Sequence, residues 1–111
     1  MRREFEVQWS PAARNDLITI AKYIAADRPH NALNVFNTIK SKASSLKVFP
    51  ERGRIIPELR DQDIPLHREL VISPWRIIYR ISENKVYVLA VLDSRRNIED
   101  LLLQRLTDPK S

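Results

Sequence analysis

Arginine recurs in the second half of this chain where strands would hold it in place. Arg76 and Arg80 lie in Trp75-Arg76-Ile77-Ile78-Tyr79-Arg80-Ile81, and Arg95-Arg96 follow a second apolar run. A guanidinium carries rigid, paired donors that match carboxylate or phosphate oxygens two at a time. Held on a sheet face, such groups prepare a landing place for an anion. His67, beside Arg68 and Glu69, is the nearby side chain able to move a proton close to neutral pH. His30, next to Pro29 at a helix start, has no comparable company.

The elements that must position these groups follow from alternation. Successive side chains of a strand point to opposite faces, so Trp75, Ile77, Tyr79 and Ile81 share one face while Arg76, Ile78 and Arg80 share the other. Glu83-Asn84 has the length of a two-residue hairpin turn, in which Asn tolerates the positive φ. Pairing outward from it sets Ile81 opposite Val86, Tyr79 opposite Val88, Ile77 opposite Ala90 and Trp75 opposite Leu92. That face is wholly apolar and is the core side. The reverse face sets Arg80 opposite Tyr87, Ile78 opposite Leu89 and Arg76 opposite Val91. Read this way it is open, an apolar patch rimmed by charge, which suits a protein partner better than a nucleic acid. For Arg76 and Arg80, pairing with Asp93 or Glu99 is the competing structural role, and Arg95-Arg96 face Glu99 and Asp100 in the same way.

Upstream, residues 4–9 read as a strand with Phe5, Val7 and Trp9 on a core face. Ser10-Pro11 then starts a helix with apolar residues at Ala13, Leu17, Ile20, Ala21, Ile24 and Ala25. Asp27-Arg28-Pro29 starts a second, with Ala32, Val35, Phe36, Ile39, Ala43 and Leu46 in its stripe, so the pair forms a helical hairpin. Residues 49–59 break both periodicities around Gly53, the only glycine, which is expected to hold a positive-φ turn. A polar loop at 61–65 precedes strands near 67–72, 75–82 and 85–93, and Asn97 caps a last helix through 107. The expectation is an α+β domain of order β-α-α-β-β-β-α, with the helical hairpin packed on a mostly antiparallel four-stranded sheet.

With 111 residues the chain reads as one domain, burying roughly two-thirds of its unfolded surface. There is no cysteine, which removes disulfides, thiolate metal sites and a Cys nucleophile. Two isolated histidines without a carboxylate cluster give metal binding no support, and no cofactor is expected. Met1-Arg2-Arg3 has no apolar run behind it, so no leader or membrane span is read and a cytoplasmic location is expected. Net charge is +5: residues 1–60 hold eleven basic and six acidic side chains, residues 61–111 eight of each. A modest basic excess suits an anionic partner, whether nucleic acid, ribosome or an acidic protein segment.

Taken together, certain segments resemble the RelE/ParE toxin superfamily of bacterial type II toxin–antitoxin pairs. They are Val7-Gln8-Trp9-Ser10-Pro11-Ala12-Ala13 with Asp16-Leu17, Tyr23-Ile24-Ala25, Phe49-Pro50, Gly53-Arg54 and Pro57-Glu58-Leu59. Arg68-Glu69-Leu70-Val71, residues 75–81, residues 88–91, Arg95-Arg96 and Leu101-Leu102 complete the set. The superfamily joins two chemistries on one fold. RelE-like members cut messenger RNA in the ribosomal decoding site, whereas ParE-like members poison DNA gyrase; each is held inactive by an antitoxin that wraps around it.

What the resemblance implies for the site depends on the branch. Metal-free RNA cleavage needs a base, cations for the developing phosphorane charge and an acid for the leaving oxygen. Arg76 and Arg96 match basic positions of RelE-like members, with His67 as the acid or base. Yet Leu101-Leu102-Leu103 stands where such a nuclease offers an aromatic or histidine, and only Arg52 and Arg54 answer its lysine pair. The ParE-like branch is therefore favoured: a growth-inhibiting toxin that binds DNA gyrase, with a ribosome-dependent ribonuclease as the alternative. Arg54, Arg76, Ile78, Arg80, Tyr87, Leu89, Arg95 and Arg96 are the expected contacts for target or antitoxin.

Overall fold

The computed structural model describes residues 4–60 and 67–107; the Met1-Arg2-Arg3 start and the loop expected at 61–65 lie outside the described residues. Strand β1 (Glu6–Trp9) leads into helix α1 (Pro11–Ala25), where the Ser10 hydroxyl accepts one of the free first-turn donors, the Ala13 N–H, at 3.0 Å. Helix α2 (Pro29–Ser44) follows. Arg28 holds its cap position without a side-chain bond, so the capping expected around Asp27 is not made. A two-residue strand β2 (Arg54–Ile55) and a one-turn helix α3 (Pro57–Arg60) come next. Then β3 (His67–Ile72), β4 (Trp75–Ser82), β5 (Lys85–Asp93) and α4 (Ile98–Thr107) complete the order. Asn97 does cap α4, its Oδ1 accepting the Asp100 N–H at 3.2 Å.

The sheet has five strands, not four, in the order β1-β5-β4-β3-β2. It is mixed: β1 runs parallel to β5 and the remaining pairs are antiparallel. The extra strand is β2, where Arg54 pairs with Glu69 and Ile55 with Arg68. Two residues are too few to show alternation, which is why the segment reads from sequence as a break.

Two cores sandwich the sheet. On one face α1 and α2 bring Ala13, Leu17, Ile39 and Ala43 against Leu70, Ile77, Tyr79, Val86, Val88 and Val91, with Phe5 and Trp9 packed alongside as expected. On the other, Ile98 and Leu102 of α4 cover Ile56, Ile78, Ala90 and Leu92. The second face is thus not open. Leu102 is wholly buried there, and Leu101 and Leu106 pack against the same cluster. Among the described residues no helix is long and apolar enough to cross a membrane.

Register decides which residue enters which core. Near the turn the expected pairs form: Ile81 with Val86, Arg80 with Tyr87 and Tyr79 with Val88. Beyond them a bulge intervenes. Ile78 pairs with Ala90, Ile77 with Val91, Arg76 with Leu92 and Trp75 with Asp93, which leaves Leu89 as the extra residue. An extra residue inverts the alternation that follows it. Ala90 and Leu92 therefore face α4 while Val91 joins the helical-hairpin core, the reverse of the regular pairing.

Gly53 departs from expectation for a related reason. Its φ is not positive; the left-handed residue among those described is Glu83, with φ of 56°, in the β4–β5 turn in place of Asn84. Glycine is needed at 53 because the chain there runs against the core. A Cβ would lie 2.5 Å from the Tyr79 hydroxyl oxygen and 2.6 Å from the Glu69 carbonyl. The Gly53 N–H donates to that hydroxyl at 3.0 Å, and the hydroxyl donates to the Pro50 carbonyl at 2.7 Å. Burial pushes the Tyr79 pKa up, so the proton it donates is firmly held. Gly53→Ala is expected to lower stability by about 1–3 kcal/mol through overpacking. Urea denaturation checks this; an unchanged midpoint would refute the close-approach explanation.

Candidate functional site

Arg76 is the second residue of β4, the central strand of the sheet, and is 5% exposed, so its charge demands partners within the fold. Glu69 on β3 accepts from its Nε at 2.5 Å. Glu58 on α3 takes both terminal nitrogens, at 3.0 and 2.8 Å. The second Glu69 oxygen accepts from Arg54 Nε on β2 at 2.6 Å. Two guanidinium groups and two carboxylates therefore balance on one sheet face. The Arg76 side chain is 7% exposed and that of Glu69 0%. The bidentate Arg76 bond holds the Glu58 carboxyl below its ordinary 4.5, against a smaller opposing effect of burial. The same bond raises the Arg76 pKa, with burial opposing it and Glu69 adding to it.

The partners of Arg76 are thus Glu58 and Glu69, not Asp93 or Glu99. The short helix α3 matters here because it carries Glu58 across the end of the sheet. Arg95 pairs with Asp93, its Nε and Nη2 at 2.9 and 2.7 Å from the two carboxylate oxygens, and not with Glu99 or Asp100. That pairing holds the Asp93 carboxyl below its usual range.

The remaining expected contacts fall in different places. Ile78 is fully buried under α4, and Leu89 is buried at the bulge. Arg54 and Arg95 are exposed, as is Arg96, which lines a groove between α1 and α4 with Asp16, Trp75 and Arg105. Arg80 lies over the Tyr87 ring, 4.8 Å from its centre, and pairs across β3 with His67. The candidate catalytic set does not converge. His67 stands opposite Arg80 while Arg76 stands opposite Val71, roughly 13 Å further along the strands. Arg96 faces a different groove again.

One constellation was invisible to spacing. Arg105 of α4 grips Asp16 of α1 through two bonds of 2.7 and 3.0 Å and donates to the Leu89 carbonyl at 3.2 Å. Asp16 also accepts the Val91 N–H at 3.0 Å, and the Ser10 hydroxyl donates to Leu89 O at 3.4 Å. Side chains from α1 and α4 thereby satisfy the backbone groups at the bulge. The signal was an Asp and an Arg 89 positions apart, which no local pattern connects.

The chain matches known proteins along most of its length. The profile of a family described as the ParE toxin of type II toxin-antitoxin system, parDE, fits residues 7–98. Toxin ParE3 of Caulobacter vibrioides is 36% identical over 62 residues, 56% of this chain and 58% of that protein, so the alignment spans little more than half of that relative. Toxin RelE2 of the same organism is 29% identical over 91 residues, 82% of this chain and 97% of that protein. Among solved structures, the chromosomal ParDE system from P. aeruginosa superposes with a TM-score of 0.68 at 19% identity, covering 81% of this chain and 96% of that one. The toxin–antitoxin complex RelBE2 from Mycobacterium tuberculosis superposes at 0.58 and 19% identity, covering 84% and 94%. At that identity the likeness speaks to the fold.

The buried charges make stability sensitive to any one-sided loss. Glu69→Gln leaves two arginines facing a neutral amide and is expected to destabilise by about 3–5 kcal/mol. For Glu58 the folded-state pKa lies below the unfolded one. Its contribution is therefore complete above the ordinary 4.5 and is lost as pH falls through the depressed folded value. Urea midpoints measured from neutral pH into acid should fall less steeply for Glu58→Gln than for the parent chain. Parallel curves would mean that Glu58 does not pair with Arg76 in solution.

Proposed function

The chain belongs to the ParE toxin family of type II toxin–antitoxin systems, and we propose that it inhibits growth by binding DNA gyrase. A cognate antitoxin neutralises it, and the target sets its place of action in the bacterial cytoplasm. The observation that carries this reading is the fate of Arg76. The strand arginine that a ribonuclease would turn toward a phosphate gives its donors to Glu58 and Glu69. Its face is covered by α4, and neither His67 nor Arg96 shares its surroundings. A protein built in this way acts by presenting a surface.

That surface is basic where it is accessible. Arg54, Arg95 and Arg96 are exposed, and Arg80 with Tyr87 forms a half-exposed pair. These, and not the buried Ile78 and Leu89, are the contacts proposed for gyrase or for an acidic antitoxin segment. A ribosome-dependent ribonuclease remains the second reading, supported by the likeness to Toxin RelE2 along 97% of its length.

Brief induction in bacteria, followed by parallel thymidine and methionine pulses, separates the two. Thymidine incorporation should fall first, purified gyrase should lose supercoiling activity, and added antitoxin should restore it. Collapse of methionine incorporation ahead of DNA synthesis would establish the ribonuclease instead. Arg76→Ala combined with Arg96→Ala would then be expected to abolish RNA cleavage.

A further inference from the structure

Four strands bring polar side chains into one row across the α4 side of the sheet. Register places Gln8 of β1 beside Tyr87 of β5, Tyr87 beside Arg80 of β4, and Arg80 beside His67 of β3. None of these residues belongs to the apolar cluster beneath α4, and each is half-buried. Gln8 spends its amide on Glu6 at 3.0 Å. Among the described residues, the side-chain donors of the other three meet no acceptor.

Arg80 is the informative member. The arginines at 54, 76, 95 and 105 each hold a carboxylate, and Arg68 holds the Gly53 carbonyl. Arg80 has only the Tyr87 ring, with no acceptor among the described residues. A half-buried guanidinium without an anion forgoes the charge-assisted bonds that offset its burial. His67 points the same way. Its Nδ1 is buried without a partner among the described residues. An orphaned buried N–H is costlier than an orphaned lone pair, so the proton belongs on Nε2. Burial and the Arg80 charge both push the His67 pKa down and keep the ring neutral. Its Nε2–H is then a neutral donor on the residue that pairs with Arg80 from β3, as Tyr87 pairs with Arg80 from β5.

We propose that Arg80, His67 Nε2–H and the Tyr87 hydroxyl form a phosphate-binding row, a site distinct from the Arg76 network. Spanning three strands, the donors extend over roughly 10 Å. That reach exceeds one carboxylate with its two oxygens and suits the oxygens of a phosphate group or of successive phosphates. The source is either a free phosphate or nucleotide, or the backbone of a single strand. Binding here is independent of which target the toxin acts on.

The test titrates the purified full chain with inorganic phosphate, with a fluorescein-labelled oligouridylate and with an oligoglutamate peptide, following amide and histidine resonances and anisotropy. Resonances of residues 67, 80 and 87 should move together on adding phosphate or oligouridylate. Arg80→Ala should weaken binding by about tenfold or more, Arg80→Lys by less, and Lys42→Ala, which removes an equal charge from exposed α2, should leave it unchanged. Because Arg80→Ala also removes packing against the Tyr87 ring, His67→Gln and Tyr87→Phe, both close in shape, serve as second variants and should each weaken binding as well. Phosphate alone saturating the row identifies a small-molecule source; saturation by the oligonucleotide alone identifies a strand. Equal loss in Lys42→Ala, tighter binding of the oligoglutamate than of either phosphate probe, or no movement of these resonances with any probe would overturn the assignment.

Discussion

A guanidinium at the centre of a sheet is unstable unless carboxylates surround it, and much of this structure answers that demand. Arg76 is the charge at issue. Glu69 meets it from the neighbouring strand, and α3 delivers Glu58 to its other side. Arg54 of β2 then balances Glu69. The short elements between the helical hairpin and β3, negligible in length, hold one half of a neutral four-charge cluster. Removing one charge from such a cluster is expensive because its partner remains buried. The cluster also closes Arg76 to any external anion while it persists.

The second constraint is the bulge at Leu89. It inverts the pleat of β5, turning Ala90 and Leu92 toward α4 and Val91 toward the helical hairpin. The first half of the strand feeds the helical-hairpin core alone, and the second half feeds both. The backbone groups there are met by Ser10, Asp16 and Arg105, so α1, β5 and α4 are joined at one place. With α4 seated, the apolar part of the sheet face is interior. What is left for partners is a rim of exposed arginine and the polar row at the other end of the strands. A surface of that composition fits a toxin whose work and restraint are both matters of binding, as proposed for this ParE family member.

Much of this was readable from residue patterns. Ser10-Pro11, the two apolar stripes and Asn97 mark helix starts by local hydrogen bonding, and the structure has them there. The β4–β5 turn and the first pairs beyond it follow from alternation in residues 77–81. The site was only half legible. Arg76 stood out because a charge broke an apolar strand, but its partners lie before it in the chain, on β3 and α3, and not after it at Asp93 or Glu99.

The chain's local physics decided helix termini, strand faces near the turn, and the presence of arginines that require anions, since caps and pleats depend on neighbours a few residues away. The fold decided the rest. From Val86 to Leu92 nearly every residue is apolar, so both faces look alike and the pattern cannot locate a bulge. Gly53 reads as a turn until Tyr79 is seen against it, 26 positions away. Whether Arg76 is available or committed depends on Glu58, 18 positions earlier, and Asp16 meets Arg105 across 89. Contacts of that range arise only when packing brings the strands and helices together, because pairing of charges depends on distance in space and not along the chain.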